Sequence, residues 1–133
     1  MAHEALFDDD DPMLARIREI ALELPGADEK ISHGRPAFFT TKVFAYYGGS
    51  VRRGPGDWVQ HPQSVMVRLD SDERAALLDD PRTFIPAYLG PSGWLGVDLE
   101  SETDLGEIAE LIDSSYRITA PTPLVAELDN RST

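Results

Sequence analysis

His33-Gly34-Arg35 sets an imidazole and a guanidinium two residues apart, inside a stretch, ISHGRPAFFTTKVFAYY (31–47), that holds no carboxylate. Arginine presents a forked set of donors that matches a carboxylate or phosphate, and a histidine can add one more. His33 and Arg35 are therefore candidates for an anion-binding pair. The same residues also fit a plain turn, with Gly34 there for backbone reasons and the His33 ring capping it. A second candidate is YLGPSGWLG (88–96), where glycines would let backbone approach a ligand beside Tyr88 and Trp94. Gly and Pro in that density are equally turn chemistry. Both alternatives stay open from sequence.

Other chemistry finds little support. His3, His33 and His61 are scattered, cysteine is absent, and no histidine pair has helical i,i+4 spacing, so no metal site is expected. There is no GxSxG, no thiol and no phosphate-binding glycine loop. The many carboxylates fall mainly on helix faces and helix starts, where solvation explains them. Neither an enzyme nor a cofactor is expected.

The 133-residue length suits one domain, and 41% apolar residues suffice for an unstapled core. The absence of cysteine and of a basic, apolar leader, with no run near the roughly 20 apolar residues of a membrane helix, leads us to expect a cytoplasmic protein with no membrane partner. The net charge of −12 is unevenly spread. Residues 30–68 carry six cations (Lys30, Arg35, Lys42, Arg52, Arg53 and Arg68) against Asp57 alone, whereas 1–29 and 69–113 hold two arginines each against nine and twelve acids. A nucleic acid would meet positive potential only in the middle block.

The elements that would position these residues follow from periodicity. Asp11-Pro12 opens a helix whose stripe is Met13, Leu14, Ile17, Ile20, Ala21 and Leu24, ended by Pro25-Gly26. The acid run Asp8–Asp11 before it reads as a solvated tail that favours the positive helix end. Strands are expected near 29–33, 37–41, 43–47, 64–69 and 94–99, with GGSVRRGPGDWVQHPQ (48–63) as a long hairpin loop. Further helices follow Asp70, run from about 103 or 104 to 116, and start at Thr122-Pro123, while 82–93 reads as irregular. This order implies an α+β fold: a single antiparallel sheet of about five strands with helices packed on one face.

The other face would then be open. Alternation directs Val65, Val67 and Leu69 inward, and Leu95, Val97 and Leu99 likewise. Met66, Arg68 and Trp94 point outward, and Lys42, Phe44 and Tyr46 are assigned beside them. The expected open face is aromatic and basic.

Four stretches resemble the MmcQ/YjbR family of small bacterial proteins: LPGADEKISHGRPAFF, KVFAYY, SDERAALLDDPRTFIPAYLGPSGWLGVDL and LIDSSYRITAPTPLVAELD. In this order and spacing the match extends over nearly everything from about Pro12 to Asp129. The resemblance implies a compact domain similar to type III secretion chaperones, 1–133 as one unit with 1–11 as a flexible acidic tail. It also implies DNA binding of the double-wing type, and no defined enzymatic activity.

Two functions follow as expectations. The first is binding of DNA or another nucleic acid through Arg35, Lys42, Arg52, Arg53, Trp58 and Arg68, with the Gly-rich loop as a wing and bases stacking on aromatics if single-stranded. The second is a non-enzymatic module binding a protein partner, a second copy of the chain or a small anion through the same face, with His33, Arg35, Tyr88 and Trp94 as ligand contacts.

Overall fold

The computed structural model describes residues 7–131. Its elements are α1 (Pro12–Leu22), β1 (Asp28–Ser32), β2 (Arg35–Phe39), β3 (Val43–Gly54), β4 (Asp57–Arg68), α2 (Ser71–Leu77), β5 (Thr83–Phe84), β6 (Trp94–Asp98), α3 (Leu105–Thr119) and α4 (Thr122–Arg131). The strands form one antiparallel sheet in the order β1-β2-β3-β4-β6-β5, and α1 and α3 lie on one face. The fold is α+β, as expected. The sixth strand is β5, two residues long, inside the segment read as irregular.

Helix starts match their caps. Asp11, Asp70 and Asp104 accept hydrogen bonds from the backbone N–H of Met13, Glu73 and Gly106, relieving orphan donors at each helix start. Asp11 also accepts from the Tyr47 hydroxyl, and Asp9 pairs with Arg18 at 2.7 Å, so two acids of the run before α1 hold specific partners. Residues 1–6 of the expected acidic tail, with His3, lie outside the described residues.

Leu14, Ile17 and Ala21 from α1, and Ile108, Leu111, Ile112 and Tyr116 from α3, close over Phe38, Ala45, Tyr47, Val65, Val67, Leu95 and Val97. Here β4 and β6 follow the alternation read from sequence. β3 does not. Phe38 pairs with Ala45 but Phe39 with Val43, so Phe44 is the extra residue of a β-bulge. The bulge turns Phe44 into the core, fully buried and edge-on to Tyr116 at 5.3 Å, instead of onto the open face beside Tyr46. Ser115 of α3 repairs the break: its hydroxyl donates to the Phe44 carbonyl at 2.6 Å and accepts from the Arg68 N–H at 2.9 Å.

The expected hairpin loop at 48–63 is instead β-structure. Gly54 pairs with Asp57 across Pro55-Gly56, and Gly56 has φ +74°. Proline's fixed φ followed by a glycine at positive φ suits a tight type II turn, which lets pairing run to the tip. Gly and Pro content, read as a loop signal, here marks one turn and, at Gly48, a register shift in which β4 carries the extra residues between His61 and Val65.

Candidate functional site

The face away from the helices is only partly open. Residues 83–93 cross it, and Phe84 lies on the sheet over Gly96, where a Cβ would collide with its ring. Phe84 therefore fits only over glycine. With Met66 and Trp94 it forms a second small core, and the ring centroids of Trp94 and Tyr46 stand 5.4 Å apart. Trp94 points away from the helices, as expected, but is buried rather than open to a partner. Phe44 and Trp94 are thus both withdrawn from the surface expected to serve as an interface.

What the crossing leaves is a cavity of about 360 Å³. Tyr46 and Met66, cross-strand partners on β3 and β4, line it together with Gly49, Ser50, Trp58 and Gln60. Ser32, His33 and Arg35 enter from the β1–β2 turn, and Pro86 to Leu89 from the crossing segment. The Ala87 N–H donates to the Ser50 carbonyl at 3.0 Å, strapping that segment to β3. Three of the four residues expected to contact a ligand, His33, Arg35 and Tyr88, meet here with Trp58. Trp94 does not line the cavity.

Arg35 is the most unusual residue of the site. It is 6% exposed, yet no carboxylate among the described residues pairs with it. Its side chain donates to the Gln60 amide oxygen, from the β4 residue directly opposite Ser50. Burial pushes its pKa below the ordinary guanidinium value, but arginine remains charged at any physiological pH. Gly48, at φ +86°, makes room for it: a Cβ there would collide with the guanidinium. The positive φ of Gly48 and the Arg35 side chain are one structural device.

Two non-glycine residues have left-handed backbone, His33 at φ 55° and Tyr88 at φ 65°, and both line the cavity. His33 is explained locally. It and Gly34 form the two-residue connection closed by the Ser32–Arg35 pair, a hairpin that requires positive φ at both positions. The turn reading and the site reading of His33 therefore hold together, and its Nδ1 lies 3.0 Å from Ser32 Oγ. Tyr88 lies in a turn of another kind, in which the Leu89 N–H donates to the Ala87 carbonyl at 2.7 Å and the Gly90 N–H to the Pro86 carbonyl at 3.0 Å. It is 76% exposed and its ring centroid stands 5.9 Å from that of Trp58, which Arg52 covers at 5.8 Å.

The remaining basic residues are dispersed. Arg53 pairs with Asp57 at 3.5 Å near the hairpin tip. Lys42 and Arg68 sit at the opposite end of the β3–β4 pair, about 30 Å from Arg52 at roughly 3.3 Å per residue. Lys30 lies over the Phe39 ring at 4.7 Å. The +5 block of the sequence is not one surface.

Sequence reasoning missed Gln60, Ser50 and the His61–Asp98 pair. His61 Nδ1 is 2.8 Å from Asp98, and its ring stacks on Phe84 at 3.9 Å, joining β4, β5 and β6 just outside the cavity. No spacing rule could have found that pairing, because register creates it. Among the described residues no group of three or more His, Asp or Glu is placed to hold a metal, and no helix is long and apolar enough to cross a membrane.

Comparison with known proteins supports the fold and the lineage. A crystal structure of the Deinococcus radiodurans protein DR2400, which carries a DUF419 domain, superposes with a TM-score of 0.60. It covers 83% of this chain and 80% of its own at 18% identity, a likeness of fold alone. No curated protein matches in sequence. The YjbR family model matches residues 22–118, which contain the turn, the hairpin, the crossing segment and most of α3; this chain belongs to the YjbR family.

Proposed function

We propose that this YjbR protein is a non-enzymatic binding module for a small anion, held in the cavity between the β1–β2 turn, the β3–β4 hairpin and residues 86–89. One observation carries the reading: Arg35 is a buried guanidinium with an amide partner and, among the described residues, no counter-ion, placed at the wall of a cavity. Removing a cation from water without compensation costs several kcal/mol. A carboxylate or phosphate in the cavity supplies the missing charge through the fork geometry that arginine is built for. The volume lies at the low end of the range for metabolite pockets, which suits a small ligand. Isothermal titration with inorganic phosphate, butyrate and other simple anions tests it. Binding that weakens at least tenfold in Arg35→Gln supports the reading; no binding by any anion, or equal binding by the variant, sinks it.

A second reading, nucleic-acid binding, is favoured by one feature. Arg52, Arg53 and Trp58 are exposed together near the tip of the long hairpin, a basic and aromatic finger of the kind that reads a backbone and stacks a base. Acidic helices behind the sheet weaken long-range steering, an effect that physiological salt screens beyond roughly 8 Å. Anisotropy titration of a single-stranded oligonucleotide over a salt series separates the readings. Arg52→Ala/Arg53→Ala should flatten the log–log salt slope by about 2. An oligonucleotide that fails to bind even near 50 mM salt eliminates this reading and leaves the first intact.

A further inference from the structure

The Trp58–Tyr88 pair stands at the cavity with no packing role that accounts for it. Tyr88 is three-quarters exposed, holds a left-handed backbone at the centre of a tight turn in which the Leu89 N–H donates to the Ala87 carbonyl at 2.7 Å, and has its ring contact in Trp58, itself 41% exposed. A tyrosine in the left-handed region is strained, and such strain persists where the surroundings over-determine it. The strap from Ala87 to Ser50 does so here, holding the residue before Tyr88 against β3.

Strand geometry fixes where the rings stand relative to the cation. Trp58 and Gln60 are two residues apart on β4, so they share a face and stand about 7 Å apart. Gln60 holds Arg35. The aromatic pair and the guanidinium therefore lie one side-chain step apart along a single wall. The remaining wall is soft and flat, from Met66 and Tyr46. A thioether beside aromatic rings favours another ring, and offset or edge contacts suit the tilted pair.

From this juxtaposition we infer that the ligand is an anion carrying a planar ring: the anion meets Arg35 and the ring stacks against Trp58 and Tyr88. This rests on the anion-site reading of Arg35 and adds the ligand's second half. An aromatic carboxylate and a nucleoside monophosphate share that chemistry, and matched probes tell them apart.

The test is isothermal titration of the full chain with two pairs. The first is 3-phenylpropionate against 3-cyclohexylpropionate, identical in charge and similar in size but differing in ring planarity. The second is adenosine 5′-monophosphate against ribose 5-phosphate. The planar member of at least one pair should bind about five- to tenfold tighter, the factor one good ring contact supplies. Preference in the first pair alone identifies a carboxylate ligand, and in the second alone a nucleotide. Trp58→Leu and Tyr88→Gly should each abolish the preference while leaving binding of the non-planar probes within twofold. Tyr88→Gly also relieves the backbone strain, so a folding defect is not expected of it. Equal affinities within both pairs, or a preference that survives both variants, overturns the inference and leaves the anion site standing. If none of the four probes binds while inorganic phosphate or butyrate does, the inference falls and the anion site stands; if those fail too, both fall.

Discussion

On the helix side of the sheet, Phe44, Tyr47 and Tyr116 are fully enclosed, and their polar atoms have named partners: the Tyr116 hydroxyl donates to the Pro25 carbonyl at 2.5 Å, and the Ser115 hydroxyl bridges two strands. On the other side the sheet carries a smaller apolar cluster of Met66, Phe84 and Trp94 and an arginine without a counter-ion among the described residues, and the crossing segment holds a tyrosine in strained backbone at the surface. The first side is explained by stability. The second violates local rules of burial and backbone preference, and natural proteins concentrate such violations where they bind. The difference teaches which residues to ask about function.

That contrast can be broken by substitution. Phe44→Ala removes a fully buried ring from the helix side and should cost about 3–5 kcal/mol in denaturant unfolding, without altering the affinity of the remaining folded protein for anions. A loss of affinity with no loss of stability would mean that the two faces are not separable. Gly96→Ala acts on the other side. Its Cβ must displace the Phe84 ring, so about 1–3 kcal/mol is expected from overpacking, together with a weaker site because Phe84 anchors the crossing segment. Unchanged anion binding in a stable Gly96→Ala protein would detach the cavity from that segment.

Arg35→Met sharpens the comparison most. A buried charge retained for stability would be missed, but one retained for a ligand would not. Thermal and denaturant unfolding should show stability within about 1 kcal/mol of the parent, or above it, while anion binding disappears. A loss greater than about 2 kcal/mol would reassign Arg35 to the scaffold.

The smallest effect concerns pH. Hydrogen bonds from Arg82 hold the Asp80 carboxyl at about 2, below its ordinary value of 3.8, and Arg82 continues to Glu107 at 2.9 Å, tying the start of α3 to the segment before β5. A carboxyl depressed on folding stabilises the fold above its unfolded pKa, and that contribution fades as pH falls toward the folded value. The melting temperature should therefore decline between about pH 4 and pH 2 by less in Asp80→Asn than in the parent. Parallel curves would show that this half-buried pair contributes nothing.

Much of the molecule was legible in advance. Helix caps at Asp11 and Asp70, the start of α3 near Asp104, the alternation in β4 and β6, and three of the four candidates, His33, Arg35 and Tyr88 but not Trp94, follow from residue type and spacing. Two features did not. Phe44 was assigned to the wrong face because both faces of its strand are apolar, so period two cannot reveal an inserted residue. The hairpin 48–63 was read as a loop because glycine and proline report permitted turns, whereas pairing is decided by the partner strand.

By itself, the sequence determined the class of the fold, the cap and core positions, and a family whose signature spans the site residues. These depend on local periodicity and backbone preference, which need no knowledge of distant neighbours. Only the tertiary structure decided that the six cations of 30–68 are scattered rather than pooled, that Trp94 is roofed by the segment before it, and that Arg35, Trp58 and Tyr88, from three separate parts of the chain, face one cavity. Register, bulges and the path of a crossing segment set those relations, and each is a property of pairing between residues far apart in the chain.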